Sequence, residues 1–173
     1  HGGASNKAFA MMTELGENVK DWGSDEEVSA YLEKILRKEA FDKSGLIYGI
    51  GHAVYTLSDP RTKLLSKYAH ELAVACGQED KYNLYLKVEK LAPKVFAEVK
   101  NSEKIVCANV DFFAGFVYSM LDIPEVLNTP LFACARIAGW SAHRIEELVS
   151  GGRIMRPAYK CVNKRRGYVK MED

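Results

Sequence analysis

The chain has 173 residues, 47% of them apolar, with 24 Lys and Arg against 23 Asp and Glu for a net charge of +1. This fits one globular domain, or a small domain and a piece of another. Near-neutral charge gives no electrostatic reason to expect nucleic acid or an anionic membrane as partner. No apolar run approaches the roughly 20 residues that cross a bilayer, and no signal or transit peptide is visible. The chain opens on His1 rather than Met, and we read it as a fragment or a processed product. Cys76, Cys107, Cys134 and Cys161 lie far apart and form no C-x-x-C pair. They read as small buried thiols of a reducing compartment rather than as metal ligands, and no metal site is expected.

Helical periodicity dominates. Ala8, Phe9, Met11, Met12 and Leu15 predict a helix over 4–15, with Gly16 as its stop. Ser24 and Glu27 have capping-box spacing, and Val28, Tyr31, Leu32, Ile35 and Leu36 follow as one buried stripe. Gly45, Gly49 and Gly51 then break the pattern into a loop of extended character. Asp59-Pro60 starts a further helix, with Leu64, Leu65, Tyr68, Leu72 and Ala73 as its stripe and Gly77 as its stop. Another pattern covers 79–100, where Pro93 should kink or split the helix. Asn109 is placed to cap a helix over about 110–121, and Thr129-Pro130 to open a long one ending near Gly151-Gly152. The basic tail is irregular, with a short strand at 159–162. The expectation is an all-α fold of about six helices.

Three spots carry residues suited to chemistry: His1 before Gly2-Gly3, His52 in the glycine-rich loop, and Asp111 at the start of an apolar helix. Each has a plain structural reading as well. His1 reads equally as a chain terminus, and His52 as a turn residue bonded to its own backbone. Asp111 alone reads first as a helix N-cap or a first-turn acid favoured by the helix dipole. Arg61 reads as a surface residue. Arg136 lies among Phe132, Ala133, Ala135, Ile137 and Ala138, and needs an anionic partner if it is buried. His70 and His143 read as structural or solvated, and Gly49-x-Gly51 lacks the third glycine of a dinucleotide loop.

Taken together these segments resemble the C-terminal portion of the citrate synthase family. The matching stretches are His1-Gly2-Gly3-Ala4, residues 49–55, Asp59-Pro60-Arg61, residues 109–112, residues 129–132, residues 135–140 and Arg156-Pro157. They occur in the family's order and run through nearly all of the chain. The resemblance implies an all-α enzyme, a transferase that condenses acetyl-CoA with oxaloacetate and then hydrolyses the thioester to release citrate and CoA. It implies a small closing, CoA-binding domain over residues 1 to about 115. Residues 116–173 would return to a large domain whose N-terminal part is absent from this chain.

The resemblance also implies residue roles. His1 would donate to the thioester carbonyl, Asp111 would take the methyl proton, and His52 would polarise the oxaloacetate ketone. Arg61, Arg136 and Arg156 would hold carboxylates, Arg156 across the interface of a homodimer. The backbone of Gly49, Ile50 and Gly51 would lie close to the CoA adenine. CoA serves as co-substrate, with no permanently bound cofactor, and the implied location is the cytoplasm. These roles make chemical sense. A thioester α-proton is too weakly acidic for a lone carboxylate, so a donor must stabilise the enolate as the proton leaves. A desolvated Asp111 would be a stronger base. Arginine's fork matches the carboxylates of a dianion, and closure would keep water out during condensation.

Ala53 stands where some bacterial members carry a basic residue. The CoA phosphate contacts are therefore open, with Lys43, Lys63 and Lys164-Arg165-Arg166 as candidates. 2-Methylcitrate synthase, using propionyl-CoA, is the near alternative. A non-catalytic CoA-binding module and an inactive fragment are the others.

Overall fold

The computed structural model describes residues 3–152, and His1, Arg156 and the predicted strand at 159–162 lie outside the described residues. Six α-helices follow in chain order: α1 Ala4–Asn18, α2 Asp25–Leu36, α3 Pro60–Cys76, α4 Glu79–Lys100, α5 Val110–Met120 and α6 Asn128–Ser150. A turn of 3-10 helix, Glu125–Leu127, leads into α6. The only β pairing among the described residues is an isolated antiparallel bridge, Ile50 to Ala108. The all-α expectation holds. The chain divides into two compact units, His1–Ala135 and Arg136–Asp173.

In the first unit α5 is the central element. Every residue from Val110 to Val117 is buried, and the helix is packed by α1 on one side and α3 on another. A helix apolar on all faces is stable only inside a core. Phe112, Phe113 and Phe116 surround the Tyr85 ring of α4 at centroid distances of 5.2, 5.9 and 5.0 Å. Burial of each contributes about 1.5–3 kcal/mol. Gly115 is the point of closest approach to α1. A Cβ there would stand 2.6 Å from Phe9 Cβ, so the small residue sets the spacing of the two helices.

α2 buries the five residues its stripe predicts. The Ser24 hydroxyl accepts from the Glu27 backbone N–H at 3.1 Å. The reciprocal half of the box is absent. Glu27 Oε2 instead accepts from the Lys20 and Asp21 N–H groups at 3.1 and 3.2 Å, tying α2 to the turn before it.

Four expectations need correction. Gly16 does not stop α1, which runs on to Asn18. Its missing side chain admits the Trp22 ring, 3.3 Å from where a Cβ would sit. Leu64 and Tyr68 are 55% and 49% exposed. The fully buried residues of α3 are the small Thr62, Ala69 and Ala73, while Leu65 and Leu72 of the stripe pack against the core partly buried. Pro93 does not split α4. Buried Leu91, Ala92 and Val95 flank it, and their packing outweighs one lost hydrogen bond. Of the cysteines only Cys107 is buried, while Cys76 and Cys134 are exposed and Cys161 lies outside the described residues.

One constraint positions the loop before α3. The Gly51 N–H donates to the Cys107 carbonyl at 2.7 Å, and the Asn109 N–H to the Gly49 carbonyl at 2.8 Å. Asn109 Nδ2 donates to the Gly51 carbonyl at 2.8 Å, while its Oδ1 accepts from the Asp111 N–H at 2.9 Å. One amide thus starts α5 and clips the loop to it. Gly49 makes this possible. It has φ +81°, and a Cβ would stand 2.8 Å from Phe112 Cα.

Gly49→Ala combines a left-handed backbone with a steric overlap. It should cost about 2–4 kcal/mol in denaturant unfolding. Asn109→Asp keeps the cap oxygen but sets a carboxylate against the Gly51 carbonyl. It should cost about 1–3 kcal/mol in the same measurement, more than Asn109→Ser costs through loss of the clip alone.

Candidate active site

The clip brings the His52 loop and the first turn of α5 side by side. Within the loop, His52 Nδ1 accepts from the backbone N–H groups of Val54 and Tyr55 at 2.9 and 3.0 Å. The structural reading of His52 as a turn residue is therefore correct, and it has a chemical consequence. A ring nitrogen that accepts carries no hydrogen, so the neutral ring bears its hydrogen on Nε2. Nε2 stands 3.3 Å from Arg61 Nη2. Both atoms carry hydrogen and neither can accept from the other. They form a pair of donors suited to two neighbouring acceptor oxygens.

Arg61 is placed by Asp59. Asp59 is the N-cap of α3, preceding Pro60, and its side chain is fully buried. Asp59 Oδ1 accepts from the Arg61 backbone N–H at 2.9 Å and from Arg61 Nε at 3.0 Å. Asp59 Oδ2 accepts from Arg61 Nη2 at 2.8 Å. The guanidinium bonds hold the Asp59 carboxyl below the ordinary carboxylate range against the opposing effect of burial. In turn the carboxylate holds the Arg61 guanidinium protonated above its ordinary value. The Tyr55 ring lies 5.8 Å from the Arg61 guanidinium carbon and 4.8 Å from the His52 ring. Arg61 remains 44% exposed at its side chain, so one edge of the fork is taken by Asp59 and the rest is open.

Asp111 is 4% exposed. It is not the cap of α5, since Asn109 fills that role. Its charge is one of the lesser influences that hold Arg61 protonated, and the Asn109 clip sets the turn that carries it against the His52 loop. Gly51, with φ +102°, leaves open space where a side chain would be, whereas the bare Cα of Gly49 is filled by Phe112. Of the two glycines, only Gly51 offers backbone to an approaching ligand. Arg136 lies on α6 in the second unit and is partly exposed. His1 and Arg156 fall outside the described residues.

The sequence reading missed Asp59 as more than a cap, and it missed Tyr55. An Asp two residues before an Arg at a helix start was a usable signal, since that spacing lets the acid cap the helix and reach the guanidinium at once. Cys107 lies behind the loop, its thiol 3.5 Å from the Tyr55 carbonyl. Burial, with the charges of Asp59 and Glu89, pushes this thiol up, which makes it packing and not a nucleophile.

Residues 1–158 match the family model described as the C-terminal domain of citrate synthase. The chain is 39% identical over 157 residues to a citrate synthase of Synechocystis, covering 91% of this chain and 35% of that protein. It is 35% identical over 158 residues to a 2-methylcitrate synthase of Shewanella oneidensis, covering 91% of this chain and 36% of that one. Among solved structures it is similar to the citrate synthase of Thermoplasma acidophilum in ternary complex with carboxymethyl coenzyme A and oxaloacetate. That match has a TM-score of 0.66 and 30% identity, and covers 98% of this chain and 42% of that chain. This chain thus spans some two fifths or less of the length of these relatives. With nearly its whole length matched, in sequence and in helical architecture, the chain belongs to the citrate synthase family.

Proposed function

We propose that this chain supplies the catalytic portion of an enzyme that condenses an acyl-CoA with oxaloacetate and then hydrolyses the thioester. The observation that carries the reading is the donor pair, His52 Nε2 and Arg61 Nη2 at 3.3 Å, on a loop clipped through Asn109 to the helix turn that carries the buried Asp111. A 2-oxo acid has a ketone oxygen adjacent to a carboxylate. Two donors this close serve those two oxygens together, and the hydrogen bond from His52 Nε2 to the ketone oxygen draws electron density from the ketone carbon.

In this reading Asp111 removes the α-proton of the acyl thioester. His1 donates to the thioester oxygen as the enolate forms, and the carbanion attacks the ketone that His52 polarises. The new alkoxide then receives the Nε2 hydrogen bond, and water cleaves the thioester to release CoA. Arg136 and Arg156 hold further carboxylate groups, Arg156 from the second subunit of a homodimer. The open backbone at Gly51 faces the CoA adenine. Residues 1 to about 115 act as the closing domain, the remainder joins the large domain, and the enzyme works in the cytoplasm. No metal takes part.

Relatives named for citrate and for 2-methylcitrate synthesis match at nearly the same identity. Acyl preference therefore has to be measured. One methylene is worth only about 1–3 kcal/mol of discrimination.

The test is thiol release from acetyl-CoA and propionyl-CoA with oxaloacetate. It is run on this chain and on the chain joined to whatever precedes His1 in its gene. Thiol release that requires oxaloacetate is expected from the longer protein. Asp111→Asn should lower kcat about 10²–10⁴-fold while leaving oxaloacetate binding intact. Absence of release from the longer protein with either acyl-CoA would show that the condensation reading is wrong.

A further inference from the structure

We propose that Asp59 is a positioning residue of this site. Its buried carboxylate clamps Arg61 so that Nη2 stands in register with His52 Nε2 and takes one carboxylate oxygen beside the ketone that the histidine holds. The inference rests on the condensation reading above.

Three observations separate this role from simple capping. A cap needs one oxygen and one backbone N–H, which Asp59 Oδ1 and the Arg61 N–H supply. Asp59 makes two further bonds, to Arg61 Nε and Nη2 at 3.0 and 2.8 Å, on the edge of the guanidinium that carries both nitrogens. Parallel bonds of this kind fix the plane of the fork as well as its position. The carboxylate itself is rigidly held, because it is fully buried at the start of a helix whose next residue is proline. Arg61, by contrast, is 44% exposed and lies on a helix surface. Without the clamp its long side chain has several rotamers to choose from, at an entropic penalty on binding.

Charge alone predicts the opposite effect from positioning. Asp59 places a negative charge next to a cation that is to receive a dianion. Replacing it with a neutral residue raises the local positive charge and favours the dianion. Positioning predicts weaker binding in spite of that gain.

Asp59→Asn in the full-length protein decides between these. Asn caps as well as Asp does, so α3 is kept, while the charged clamp is lost. We expect kcat/KM for oxaloacetate to fall 10–100-fold, with KM for the acyl-CoA unchanged. The Arg61 Nε–H resonance should be distinct and slow to exchange in the wild type, and in Asp59→Asn it should merge with those of solvated arginines. The double variant Asp59→Asn/Arg61→Lys should be no worse than Arg61→Lys alone. Stability gives the pH signature. The folded Asp59 carboxyl lies below its ordinary 3.8. Its contribution is full above that pH and disappears as the pH falls through the depressed value. The difference in unfolding midpoint between wild type and Asp59→Asn should therefore close on acidification below about pH 4.

If Asp59→Asn lowers stability yet leaves kcat/KM for oxaloacetate within twofold, Asp59 is a cap and nothing more. If it tightens oxaloacetate binding, Asp59 only tempers the charge of Arg61. Should the wild type not turn over at all, oxaloacetate is titrated while the His52 and Arg61 side-chain resonances are followed. Shifts in the wild type that vanish in Asp59→Asn uphold the positioning role and discard the condensation reading. No shifts in the wild type overturn both.

Discussion

The structure of the site depends on one side-chain amide. Asn109 holds the Gly49–Gly51 backbone with its N–H groups and begins α5 with its Oδ1. The loop carrying His52 and the helix carrying Asp111 therefore share a fixed origin, although 59 positions separate the two residues in the chain. Backbone groups in a glycine-rich loop must find partners if the loop is to lie against a core. Here those partners come from the segment just before α5, and the isolated bridge between Ile50 and Ala108 marks the contact. Gly49 is the steric condition. Only a residue with no Cβ and free access to positive φ lets the loop pass over Phe112 at this distance. A core residue and the His52 loop are thus joined by one glycine.

The helices were legible in the sequence where side chains settle the matter locally. Ser24, Asp59 and Asn109 cap as their spacing says, and Gly77 closes α3 in the left-handed conformation. Misreadings occurred where tertiary packing overrode local preference. Gly16 has the look of a stop, but its bare Cα is the seat for Trp22. Leu64 and Tyr68 have the right period for a core stripe. The residues of α3 that are fully buried are two alanines and a threonine, with Leu65 and Leu72 packed beside them only in part, a difference that no pattern of apolar residues encodes.

The site was legible in part, and through motifs more than through physics. His52, Arg61 and Asp111 each had a plain reading in isolation, and for His52 that reading turned out to be correct. The ring is a turn residue and a presented donor at once, since the two nitrogens take the two tasks. Sequence offers no way to know which nitrogen faces inward, because that depends on where the next backbone N–H groups point. Asp59 was hidden for the opposite reason. Its capping role was so well supported that it left nothing to explain, and the second use of the carboxylate appears only when the Arg61 rotamer is seen.

The charge balance of this corner sets what it can do. Asp59 and Arg61 form a pair that is neutral overall, half of it buried. Such a pair has little net attraction for a dianion. Its value lies in direction, as expected where desolvation consumes most of the Coulombic gain of a close ion pair. In the proposed function the positive charge that would draw oxaloacetate in has to come from elsewhere, and Arg136 and Arg156 are the positions that the family resemblance offers for it. The work then divides. Those arginines would supply affinity, which many sites can do, while the clamped Arg61 would decide which oxygen lies beside His52. A site that had to distinguish a ketone flanked by a carboxylate from any other dicarboxylic acid would need the second property more than the first.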